Sequence, residues 1–378
     1  MIKKIKVSNY RSLGPDTVID LDRLTVLVGQ NGSGKSNVAD IIRFISDIMR
    51  IGLEGSLTKR HGIKAVRRWS SGKPLNLHLS VDLVEKEFSG SYSFEIASDR
   101  HHDYVVKQEM GSITTPEDTF IYIVNNQKWI SGPEGIRPKI SPTNLVLPLV
   151  AGDERFKPMV DALKNMEVYN ISPENLRKPQ LYDSNKPMEE HGFNWISILK
   201  DQEVSSWKPE LVSALGKLTN DIDDIDIKQL SGYLIAKFKH GFTGQSKKAK
   251  WFESSQESDG TLRIAGIISA LLQHPPLAVI GIEEPELTIH PGAIPLLMNF
   301  FNQAKQSSQV IITTHSPELL DCVKNSENVR VVERIDGISR IKKMDADQIN
   351  AVKDGLFSLG ELHRVEGLQG EQISMDLS

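Results

Sequence analysis

The segment Gly29-Gln30-Asn31-Gly32-Ser33-Gly34-Lys35-Ser36 limits what this chain can fold into more than any other stretch. It satisfies the pattern G-x-x-x-x-G-K-[ST], in which glycines let the backbone curl until several N–H groups point inward at a polyphosphate. Such a curl works only between a buried strand and the first turn of a helix, whose positive end completes the anion cradle. Both flanks comply. Leu24 to Val28 is an apolar, β-prone run, and Val38, Ile41, Ile42, Ile45 and Ile48 recur at steps of three and four, giving the following helix one apolar face. The chemistry then assigns Lys35 to the β- and γ-phosphates and the Ser36 hydroxyl to Mg²⁺. Gly29, Asn31, Gly32, Ser33, Gly34 and Asn37 are the further candidate nucleotide contacts in this segment.

The rest of the chain follows a readable grammar. Ile5 and Val7 begin a short strand. From Leu75 the apolar period becomes two, with Leu75, Leu77, Leu79, Val81 and Leu83 alternating with polar residues. Tyr92, Phe94 and Ile96, then Tyr104 and Val106, repeat it, so an antiparallel meander is expected. Phe156, Met159, Val160 and Leu163 form one amphipathic helical pattern and Leu211, Ala214, Leu215 and Leu218 another, with Pro173, Pro179 and Pro187 between them. Strands return after Ile227, and a polar turn is expected around Gly241–Lys250. The expected class is α/β: a parallel core sheet carrying the phosphate loop, an antiparallel β meander and a helical insertion. The expected division is 1–149, 150–222 and 223–378.

Three further segments carry chemistry. Leu277 to Ile282 reads as a buried strand that ends in Glu283-Glu284-Pro285-Glu286. Acids at the C-terminal end of such a strand complete a Mg²⁺ site and position water, so Glu283 is the candidate metal ligand and Glu284 the candidate base. Val310 to Thr314 is a second apolar strand, ending in His315, a candidate for contact with the γ-phosphate. Ser258 and Gly260 open a further apolar helix and offer a second anion-binding helix end. A single nucleotide has little use for two helix N-termini from one chain, whereas two chains packed head to tail would use both.

In order, these segments resemble the ATP-binding-cassette ATPases of the RecF, SMC and OLD type. Asn9-Tyr10-Arg11-Ser12-Leu13 looks like the opening of that group, where the arginine approaches bound nucleotide. Gly29–Ser36 matches Walker A, Ser258–Arg263 the signature, Ile282–Glu286 Walker B, Glu286–Pro291 the D-loop region and Thr314-His315-Ser316 the switch histidine. Leu356–Leu362 is also typical of the compact members. The resemblance implies ATP and Mg²⁺ as ligands, an ATP-dependent homodimer, and ATP hydrolysis coupled to DNA or to a separate effector, a nuclease or toxin, in DNA repair or phage defence. Walker B departs from the wider superfamily in having Glu283 where aspartate is usual. Gln108 is the candidate for the Q-loop. A non-hydrolysing ATP-sensing scaffold and a small-molecule kinase are the competing readings.

Composition narrows the surroundings. A net charge of −4 excludes a chain that is basic throughout, so nucleic-acid contact needs a local patch. Lys59, Arg60, His61, Lys64, Arg67, Arg68 and Trp69 form one such run, and Lys247, Lys248 and Lys250 a smaller one. The single cysteine, Cys322, excludes an internal disulfide and fits a reducing cytoplasm. The longest apolar stretch, Ile264 to Ile282, is broken by Gln273, His274, Pro275 and Pro276, so no membrane span is expected.

Overall fold

The computed structural model describes residues 1–219, 221–241 and 250–371. The chain forms two compact units: Met1–Met166 with Ser326–Leu356 and Leu368–Ser378, and Glu167–Asn325 with Phe357–Gly367. The segment 150–222, read from the sequence as one insertion, is shared between the two. No helix among the described residues is long and apolar enough to cross a membrane.

In the first unit, the run Leu24–Val28 is a strand buried along its whole length. It pairs in parallel with Val329–Ile335, which in turn pairs antiparallel with Ile338–Lys343. A strand covered on both faces has no use for polar alternation, which is why Leu-Thr-Val-Leu-Val reads as a continuous run. The helix Lys35–Thr58 follows, with Val38, Ile41, Ile42, Ile45 and Ile48 all buried, and its backbone leaves helical dihedrals at Gly52. The meander is a seven-stranded antiparallel sheet. Its strand Leu77–Val84 alternates strictly between buried and half-buried residues until its exposed end at Val84. One face therefore packs on the core and the other meets water, as the period-two pattern requires. Within this sheet Glu109 is a buried carboxylate that accepts from Tyr92 and Tyr122 and from the backbone N–H groups of Val146 and Leu147. Burial raises its pKa, and those four donors oppose the rise.

The second unit holds the other parallel pair. Val279–Glu283 and Gln309–Thr314 run side by side in register from Val279↔Gln309 to Glu283↔Thr313, and both are buried throughout. The helix Asp259–Leu271 is apolar nearly all round because it is surrounded, contacting the helices Pro173–Arg177, Trp195–Lys200, Val204–Thr219 and Ile294–Ala304. An antiparallel sheet built on Ile222–Leu230 and Tyr233–His240, flanked by Gln180–Leu181 and Lys250–Glu253, completes the unit. Most of the expected Gly241–Lys250 turn, with Lys247 and Lys248, lies outside the described residues.

Candidate functional site

The first unit presents the phosphate loop. Gly34 is the N-cap residue of the helix that begins at Lys35, and no side chain caps that end. The first turn closes internally only at Asn37, whose N–H donates to the Gly34 carbonyl at 3.0 Å, and a helix end with no capping side chain is the kind that takes an anion. Gly34 has φ +111°, and a Cβ there would come within 2.1 Å of Ser339 Oγ. Only glycine satisfies both demands. Lys35 folds over the loop, its Nζ donating to the carbonyls of Gly29 at 2.7 Å and Gln30 at 3.2 Å. Asn31, Gly32 and Ser36 are exposed and Ser33 is buried.

The loop is braced from behind by a run of hydroxyls. Asn37 Nδ2 donates to Ser12 Oγ, the Ser12 and Ser339 hydroxyls lie 2.6 Å apart, and Ser339 Oγ donates to the Ser33 carbonyl at 2.5 Å. Asn37, a candidate nucleotide contact, is thus engaged in the bracing. Ser12 and Ser339 carry no sequence signal beyond the first one's place in the opening motif. Arg11 is half-exposed and pairs with Asp40 at 2.9 Å.

The second unit presents the acids. Glu283 is buried at the end of its strand, and Glu284 is the first residue beyond it, with φ +43°. The Glu284 N–H donates to the Thr313 carbonyl at 2.9 Å, and its own carbonyl accepts from Arg263 Nη2 at 2.9 Å. Arg263 Nη2 also lies 3.4 Å from the Glu283 carbonyl, while Nη1 bonds Ile171. This guanidinium is buried, which lowers its pKa against the pull of Glu286 and Glu284. It holds the turn that carries the acids, a role the signature motif did not disclose.

His315 lies at the tip of the neighbouring strand. Its Nδ1 is 3.5 Å from Glu284 Oε1 and 3.9 Å from Glu286 Oε1. Glu286 is buried, with one oxygen accepting from Thr314 Oγ1 and the His315 N–H and the other without a hydrogen-bond partner among the described residues. The Glu284 side chain remains 30% exposed. The cluster thus separates a locked acid, Glu286, from a reachable one. Ser316 caps the short helix Pro317–Asp321, onto which Leu359–Val365 packs through Gly360 N–H to Asp321. The C-terminal motif thereby backs the segment behind His315.

The signature helix starts at Ser258, which is exposed and caps its own helix by accepting from the Thr261 N–H at 3.1 Å. Gly260 faces the D-loop region so closely that a Cβ would meet the Thr288 carbonyl at 2.7 Å. Just before it, Glu257 and Asp221 hold the two ring nitrogens of His240 at 2.8 and 2.7 Å. Burial lowers the pKa of that histidine, but its two acidic partners leave it raised on balance.

Among the described residues no group of three or more His, Cys, Asp or Glu side chains could hold a metal. Mg²⁺ is commonly held by one or two protein oxygens together with substrate phosphates and water. The Ser36 hydroxyl in the first unit and the Glu283 carboxylate in the second are each a hard oxygen donor of that chemical kind.

Residues 1–113 match a family described as "AAA ATPase domain", and residues 150–321 match one described as "AAA domain, putative AbiEii toxin, Type IV TA system". Among solved structures, an SMC head bound to the C-winged helix domain of ScpA aligns over 92% of this chain and 99% of its own, with TM-score 0.56 and 14% identity. An Smc head with an extended coiled coil, bound to the C-terminal domain of ScpA derived from Pyrococcus furiosus, aligns over 94% and 99%, with TM-score 0.54 and 12% identity. The chain has the fold of an ABC/SMC-like ATPase head. The curated proteins contain no match to it.

The head corrects one sequence expectation. Arg60 and Arg67, assigned to a basic surface run, are buried, at 6% and 9% exposure. Arg60 bonds Asp40 at 3.0 Å and Asp47 at 2.8 Å, both themselves buried on the phosphate-loop helix. Burial alone would lower its pKa, but Tyr10, Asp40 and Asp47 raise it. Arg60→Ala leaves two buried carboxylates without that cation, so a loss of about 3–5 kcal/mol is expected in denaturant unfolding. A loss below about 1 kcal/mol would show the network to be solvated. Lys59, Lys64 and Trp69 do stand exposed, and Arg68 is half-buried.

Proposed function

We propose that this head binds and hydrolyses ATP, closes on a second copy of itself around the nucleotide, and passes that closure to DNA or to a separate effector protein. Lys35, with the loop residues Gly29, Asn31, Gly32, Ser33 and Gly34, holds the phosphates. Ser36 and Glu283 would hold Mg²⁺, whose chemistry there would be to neutralise phosphate charge. Glu284 takes the proton from the attacking water, and His315 contacts the γ-phosphate. Arg11 is a nucleotide contact that must exchange its bond to Asp40 for one to the ligand. Arg67, buried with Nε and Nη2 unpaired among the described residues and its pKa lowered by burial, suits a bound anion better than a surface patch.

The observation that carries hydrolysis is the placement of Glu284. It is a carboxylate fixed through its backbone at both ends, open to water, and 3.5 Å from a histidine that no hydrogen bond among the described residues engages at Nδ1. Dimerisation rests on Ser258, which is exposed at the start of a helix that is buried from Thr261 to Ala270. A separate effector is supported by the toxin–antitoxin description of the matched family and by the ScpA-bound SMC heads. DNA repair or phage defence, in the cytoplasm, is the setting that fits these likenesses.

The test of closure is Ser258→Arg. A long side chain there obstructs a partner's γ-phosphate, so ATP should still bind each subunit while hydrolysis falls to background. Ser258→Thr retains the capping hydroxyl and should behave as wild type, which separates obstruction from loss of the cap. A distance probe placed on two copies reads closure directly. Normal hydrolysis by Ser258→Arg would return the head to an isolated phosphate-loop domain.

A further inference from the structure

We infer that the loop between the helix Ile63–Val66 and the strand Leu77–Val84 binds single-stranded nucleic acid, with Trp69 as a stacking platform for one unpaired base and Lys64, Arg68 and Lys73 as phosphate contacts. Trp69 is 83% exposed, more than any other large hydrophobic side chain among the described residues. One exposed apolar residue is ordinary. Its setting is not.

The loop is tied down at both ends by one residue. The Arg68 N–H donates to the Asn9 carbonyl at 2.9 Å, and Asn9 Nδ2 donates to the Asn76 carbonyl at 2.8 Å. Between these ties, Ser70 Oγ closes on the Lys73 carbonyl at 3.0 Å. An indole on a short anchored loop loses little freedom when it meets a ligand, which favours binding.

Charge selects the ligand. No acid occurs from Gly55 to Val81, in a chain whose net charge is −4. The cations of this stretch divide by their partners. Arg60 is spent on Asp40 and Asp47, and Lys59 on Asp47. Lys64 and Lys73 are exposed and Arg68 half-buried, and among the described residues none of the three has a carboxylate partner. The acid that the loop does touch, Glu95, is occupied by Asn76 at 2.6 Å and Lys107 at 3.1 Å. Cations without carboxylate partners on the same short stretch as an open aromatic side chain match a phosphate backbone with accessible bases. A duplex would engage the cations but keep its base faces stacked on one another, leaving the indole unused.

This deepens the DNA arm of the proposed function and rests on it for the class of partner. The test uses the full chain, a fluorescein-labelled oligothymidylate and a blunt duplex of equal length, read by anisotropy over a series of salt concentrations. The single strand should bind more tightly than the duplex and quench indole emission. Trp69→Ala should weaken it roughly tenfold or more at an unchanged salt slope, and Trp69→Phe should retain most of the affinity. Lys64→Gln and Lys73→Gln should each flatten the salt slope by about 0.7. Equal affinity in Trp69→Ala, a preference for duplex, binding to phosphatidylserine vesicles instead of the oligonucleotide, or no binding would each overturn the platform. Phosphate release from ATP, measured on the same samples, keeps the two readings apart. Turnover without strand binding removes only the platform, whereas absent turnover removes the ATPase reading.

Discussion

Lys35→Ala is expected to lose ATP binding while the chain stays folded. The substitution deletes an ammonium that the loop already holds by two of its own carbonyls, at Gly29 and Gln30. Removing one partner of a desolvated charge pair typically costs about 2–5 kcal/mol, which is roughly thirty- to several-thousand-fold in affinity. The loop itself should persist, because the hydroxyl run through Ser12 and Ser339 braces it independently of the lysine. Calorimetric titration with ATP reads the loss, and the unfolding midpoint without nucleotide checks the fold. An unchanged dissociation constant would remove the phosphate-loop assignment.

Glu284→Gln should bind ATP normally and hydrolyse it about 10²–10⁴-fold more slowly, the usual contribution of a positioned general base. The amide keeps the shape and the backbone bonds to Thr313 and Arg263 but accepts no proton. Burial singles out this acid from its neighbours. Glu283 is enclosed at the strand end, and Glu286 has one oxygen taken by Thr314 and the His315 N–H. If phosphate release from Glu284→Gln matches wild type, the base lies elsewhere or the chemistry takes another route. If neither protein releases phosphate, the head senses ATP without consuming it.

The parts of this architecture that are contiguous in the chain were legible from the sequence. The buried runs Leu24–Val28, Val279–Glu283 and Gln309–Thr314 announce themselves because a strand covered on both faces reads as a near-continuous apolar run. The meander is equally plain, from its period of two. The expectations fail, or fall silent, where a side chain's role depends on a distant partner. Arg60 and Arg67 read as surface charge, because nothing near them in sequence shows that Arg60 turns inward to Asp40 and Asp47. The bond between Ser12 and Ser339 spans most of the chain, and neither serine differs locally from any other. Arg263 was visible only as the last letter of a motif, and its grip on the carbonyls of Glu283 and Glu284 belongs to tertiary packing.

Glu284 sits at φ +43°, where an L side chain strains the backbone by about 1–3 kcal/mol and glycine does not. Thr313 and Arg263 hold it there from either side. The position is therefore pulled in opposite directions by heredity's two filters. Drift judged by folding alone would move it toward glycine, and only the demand for turnover would keep the acid. A lineage that had kept the scaffold but abandoned hydrolysis would be expected to give up its glutamate here early, while Arg263, which supports the turn whatever side chain it carries, would outlast it.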